Sequence, residues 1–158
     1  MLILAIESSC DETSLAILQA PDLNTPDSGQ SDFEYLSQVK VLASVISSQI
    51  EIHKQYGGVV PEVGARRHAN QIHFLWQELL DQLTQPELRQ EVLLKLDKIM
   101  VTTNPGLASA LRVGHEFAKS VKFFADQARM LKGVSSEVEI YPINHLRGHM
   151  ASSLYQTV

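Results

Sequence analysis

Apolar positions first gather in two short runs, LILAIES (Leu2 to Ser8) and SLAIL (Ser14 to Leu18), with the polar stretch SCDET between them. Runs of this length around a tight polar break predict a β-hairpin. A third run, VKVLASVIS (Val39 to Ser47), predicts a strand that returns beside the pair, giving three antiparallel strands at the start. The segment Pro21 to Asp32 is rich in Pro, Asp, Asn, Ser and Gly and is expected to form a flexible surface loop at a long hairpin tip.

After YGGVV the period changes. From Pro61 to Leu83 the apolar residues Val63, Ile72, Leu75, Trp76, Leu79, Leu80 and Leu83 recur at spacings of three and four, the stripe of an amphipathic helix. Pro61 suits the first helical position, and Glu62 complements the positive end of the helix dipole. KIMVTTNPG (Lys98 to Gly106) reads as a strand that stops at a Pro-Gly turn, Leu107 to Ala128 as a second helix, and Val138 to Asn144 as another strand. A final helix is expected from His145. Three hairpin-like strands followed by helix, strand, helix, strand and helix predict an α/β layer on a mixed sheet. A length of 158 residues favours one domain. The last helix has little more than three turns in which to bury a face, so the chain reads as a unit cut from something larger.

Composition narrows the function. Hydrophobic residues at 44% and charged residues at 20% argue for a folded rather than a disordered chain. With 18 acidic against 13 basic residues, the net charge of −5 supplies no global field for a polyanion, so nucleic-acid binding would need a local basic patch. Cys10 is the single cysteine and cannot form an internal disulfide. No signal peptide is evident, and no apolar run approaches the roughly 18 residues of a membrane span, so a reducing cytoplasm is the expected location.

Four places carry candidate chemistry. ESSCDET (Glu7 to Thr13) sets hydroxyls, carboxylates and backbone amides at a strand-to-strand bend, where they can face a phosphate or a metal-bound water. Ser, Asp and Thr also populate turns by bonding their own backbone. NPGLASALRVG (Asn104 to Gly114) points the first amides of a helix beyond a strand's carboxyl end, a location that suits anionic ligands, although it lacks the spacing of a phosphate-binding loop. Arg66, Arg67 and His68 cluster near a helix start and together form a possible local basic patch, against the plainer reading of a solvated helix face. HLRGH places His145 and His149 four apart, on one helical face, where both imidazoles can reach the same ion. Two ligands do not close a site, and Leu146 occupies the position at which a zinc protease carries its glutamate base.

Taken in order, ILAIESSCDETSLAIL, SQIEIHKQYGGVVPEVGARRHANQI, VTTNPGLASALRVG and YPINHLRGHMASSL resemble the amino-terminal half of the Gcp/TsaD family of tRNA threonylcarbamoyltransferases. The resemblance implies a ribonuclease-H-like domain of the actin-like ATPase superfamily, with residues 1–158 as its amino-terminal lobe and the second lobe outside this chain. It also implies transfer of threonylcarbamoyl from threonylcarbamoyl-AMP to N6 of adenosine 37, in tRNAs that read codons beginning with adenine. By the same resemblance, His145 and His149 would hold one divalent metal ion, iron or zinc, with the third protein ligand elsewhere. Ser9, Asp11 and Glu12 would line the reacting centre as catalytic residues, and Arg66 and Arg67 would face tRNA. A carboxy-terminal lobe or a paralogous subunit is the implied partner, and the isolated chain is expected to be an incomplete enzyme. The alternative is a non-catalytic scaffold paralogue of the same complex. Two departures stand out: Asn104 occupies a position where the family generally has glycine, and Arg147 one where an acidic residue is usual.

Overall fold

The computed structural model describes residues 1–21 and 37–155, the last three of these by backbone alone. Beyond Pro21, the loop expected over Pro21 to Asp32 lies outside the described residues. Five strands, β1 (Leu2–Glu7), β2 (Glu12–Gln19), β3 (Lys40–Ser48), β4 (Lys98–Asn104) and β5 (Glu139–Asn144), form one sheet in the order β3-β2-β1-β4-β5. The first three pair antiparallel, whereas β1–β4 and β4–β5 are parallel, so the sheet is mixed and opens with the antiparallel trio that the apolar runs predict.

Among the described residues the α-helices are α1 (Ile50–His53), α2 (Pro61–Asp81), α3 (Pro86–Lys95), α4 (Ala108–Leu131) and α5 (His145–Tyr155). Alternation along the strands puts Leu4, Ile6, Leu15, Ile17, Val45, Ile99 and Val101 on one face of the sheet. Against them pack Ile72, Leu75 and Leu79 of α2, Leu88 and Val92 of α3, and Ala118, Val121 and Ala125 of α4. The buried stripe of α2 begins earlier than its apolar residues suggest. Gly64 and His68 continue it toward the amino end at four-residue steps.

Two helices are not legible in the apolar pattern. α1 spans four residues, too short for any period to declare itself. α3 buries only Leu88 and Val92 and departs from helical geometry at Glu91 (φ −113°, ψ 15°), so it shows no sustained stripe. What holds α3 in place is partly polar. Arg129 of α4, buried at 4% exposure, donates to the carbonyls of Leu94 (3.1 Å) and Leu96 (2.6 Å) at the end of α3 and to that of Ser136 (3.3 Å) before β5.

The parallel strands β1, β4 and β5 all end at the same edge of the sheet. In open α/β sheets, ligands gather at such carboxyl ends. Glu7, Thr102 and Asn144 stand there, and Asn144 leads directly into α5.

Candidate functional site

The Ser8–Asp11 turn between β1 and β2 is clamped by the start of α4. Ser8 Oγ donates to the carbonyl of Ala110 (3.0 Å), and the Leu107 amide donates to the carbonyl of Ser9 (2.7 Å). The close backbone approach is at Gly106, whereas Asn104 is exposed ahead of a cis peptide to Pro105.

On the other side of the turn, α5 starts with a side-chain cap. Asn144 Oδ1 accepts from the Arg147 amide at 3.1 Å, which satisfies one of the free donors of a helix start. That cap fixes the start of α5, whose first two turns carry His145 and His149 on one face. Their Nε2 atoms lie 3.0 Å apart, with ring planes at 86° and centroids 4.3 Å apart. Two nitrogens sharing one zinc ion at about 2.0–2.1 Å would be separated by about 2.9–3.4 Å for angles between 90° and tetrahedral, so the pair fits a common ion. Among the described residues no group of three His, Cys, Asp or Glu side chains completes a metal site. His145 is partly buried, His149 is exposed, and so is Arg147.

Behind the pair stands Glu7. Its Oε1 accepts from the Ser9 amide (2.5 Å), and its Oε2 accepts from Thr102 Oγ1 (2.6 Å) and lies 3.2 Å from His145 Nδ1. Burial pushes the Glu7 carboxyl up, but the bonds from Ser9, Thr102 and His145 outweigh it, and its pKa falls below the ordinary value. Ser9 Oγ is also 3.2 Å from His145 Nδ1. Glu7, Thr102, Ala5, Ala16 and Met100 line a cleft of about 210 Å³ on the sheet face turned away from the core. Glu7 opens the ESSCDET stretch but has no role of its own in the motif reading, although a carboxylate closing an apolar strand must find partners or stay in water.

Of the residues expected at the reacting centre, Ser9 meets His145. The backbone at Asp11 and Glu12 is tied to the end of β3: the Asp11 carbonyl accepts from the Gln49 amide (2.8 Å), and Glu12 pairs with Ser48. Among the described residues no hydrogen bond links either carboxylate to His145 or His149. Burial and the neighbouring Asp11 charge push the Cys10 thiol up, away from the reactive thiolate form.

Arg66 and Arg67 are exposed on α2, but His68 does not share their patch. It is fully buried, its Nε2–H donating to the Cys10 carbonyl (3.0 Å) and its Nδ1 accepting from Thr13 Oγ1 (2.6 Å). Burial lowers its pKa against the opposing pull of the Cys10 carbonyl, so it sits in the core as a neutral ring. The expectation of a three-residue basic patch is therefore corrected to two arginines.

The architecture is thus a five-stranded mixed sheet that opens with three antiparallel strands and carries helices over its core face. The solved structure of YeaZ from Pseudomonas aeruginosa shares this fold, with a TM-score of 0.50 at 15% identity over 91% of this chain and 45% of that one. The family model for TsaD, tRNA N6-adenosine threonylcarbamoyltransferase, matches residues 40–158, and the chain belongs to that family. Curated relatives of the same description include those of Fusobacterium nucleatum (36% identical over 99% of this chain) and Kosmotoga olearia (38% over 95%). The chain spans 36% and 35% of their respective lengths.

Proposed function

We propose that this chain supplies the amino-terminal lobe of an enzyme that moves threonylcarbamoyl from threonylcarbamoyl-AMP to N6 of adenosine 37, in tRNAs reading codons that begin with adenine. The observation that carries the reading is the convergence of His145 and His149 Nε2 at 3.0 Å, at the edge of the sheet where the parallel strands end. A divalent iron or zinc ion bound there would act as a Lewis acid toward the carbamoyl carbonyl.

The chain's own residues set the stage for that chemistry. The Asn144 cap fixes the start of the helix that carries the two imidazoles, and Glu7 backs the inner ring. Ser9 presents its hydroxyl beside that ring, held by the Gly106–Leu107 backbone behind it. Asp11 and Glu12, the other residues expected to line the reacting centre, belong to the same turn, whose backbone is tied to Gln49 and β3. Arg66 and Arg67, exposed on α2, would meet tRNA phosphates through point contacts that do not require a basic protein. Further ligands and the opposite wall of the cleft come from a carboxy-terminal lobe. Relatives described as transferases favour this reading over a scaffold paralogue, for which two converging imidazoles have no use.

The test is transfer to tRNA by a full-length protein carrying these residues. His145→Ala is expected to abolish transfer while circular dichroism stays unchanged, and the isolated 158-residue chain is expected to transfer nothing. Unchanged turnover in His145→Ala would remove the metal role from that residue.

A further inference from the structure

We propose that Glu7 is a positioning residue for the histidine pair: its carboxylate holds the proton of His145 on Nδ1, which leaves Nε2 as a lone pair turned toward the shared ion position. The inference rests on the metal reading above for its purpose, but the tautomer it names is a property of the metal-free chain.

The chemistry of the partners dictates the proton's place. An ionised carboxylate can only accept, so a hydrogen bond between Glu7 Oε2 and His145 Nδ1, 3.2 Å apart, requires the proton on Nδ1. A neutral imidazole carries one N–H, so Nε2 is then bare. That bare nitrogen is the atom facing His149 Nε2 at 3.0 Å. Ser9 Oγ, also 3.2 Å from Nδ1, can either donate or accept and therefore does not choose between tautomers. Glu7 does.

The carboxylate is itself held from two sides. The Ser9 amide fixes Oε1, and the Thr102 hydroxyl fixes Oε2 from the neighbouring parallel strand, one residue beyond the registered pair Ile6↔Val101. Its position thus derives from β1, β4 and the turn between β1 and β2, rather than from a mobile side chain. The two side chains retain only 33% and 25% of their exposure, so the contact is partly shielded from solvent. Outer partners that hold a ligating histidine in this way typically change metal affinity by about 10–100-fold when removed.

The experiment uses the metal-free, ¹⁵N-labelled chain at a pH where histidines are neutral. Imidazole nitrogen spectra are compared among wild type, Glu7→Gln and Glu7→Ala, followed by zinc titration of each, with backbone amide spectra as the check on folding. Wild-type His145 is expected in the Nδ1–H form. Glu7→Gln, whose neutral amide oxygen is a weaker acceptor, is expected to lose part of that excess, and Glu7→Ala to lose more and to bind zinc about 10–100-fold less tightly. A folded Glu7→Gln chain with an unmoved His145 tautomer overturns the proposal even if Glu7→Ala fails to fold. A shifted tautomer in a chain whose wild type binds no zinc would sink the metal reading and leave the Glu7–His145 relationship standing. Zinc binding with an unmoved tautomer would do the reverse.

Discussion

A Cβ placed on Gly106 would stand 2.7 Å from the carbonyl oxygen of Ser9 and 2.8 Å from its Cβ. The turn after β4 therefore closes directly on the turn after β1, with no room for a side chain. Relief would require moving backbone, and the same carbonyl is already bound by the Leu107 amide. Gly106→Ala is expected to cost about 1–3 kcal/mol in urea unfolding and to shift Ser9 away from His145. A midpoint indistinguishable from wild type would show that the turn yields without cost.

Arg129 links the end of α3 to the segment before β5 through the carbonyls of Leu94, Leu96 and Ser136. Replacing it by Met keeps the volume but leaves the Leu94 and Leu96 carbonyls short of partners. Arg129→Met is expected to destabilise by about 2–4 kcal/mol, with early loss of protection in α3 by hydrogen exchange. Uniform exchange across the chain at unchanged stability would contradict the role.

His68 titrates lower in the folded chain than in the unfolded one, because burial disfavours its charge. The unfolded state then takes up the proton first, so this contribution is fully present above pH of about 6.5 and declines as the pH falls below it. Urea unfolding from pH 7.5 downward should show that decline, and His68→Gln should flatten it. Equal slopes in both proteins would assign the acid sensitivity to other groups.

What was legible in the chain follows from how long each pattern runs. β1 to β3, α2, β4, α4, β5 and α5 each repeat a spacing long enough to read, and the observed bounds differ by a few residues at most. α1 and α3 carry too few buried apolar side chains to be seen. The histidine pair was visible because four-residue spacing converts directly into one helical face. Glu7 and Thr102 were hidden because their meeting depends on the parallel register of β1 and β4, which no local pattern encodes. His68 was misassigned for a related reason: its neighbours in sequence are exposed arginines, but its place on the α2 stripe with Gly64, Ile72, Leu75 and Leu79 puts it in the core.

Calorimetric titration of the 158-residue chain with zinc, beside His145→Ala and His149→Ala, tests the convergence of the two rings most directly. One weak site in the wild type, lost in both variants with circular dichroism unchanged, is the expected result. Binding that survives either substitution, or none in the wild type, would contradict it.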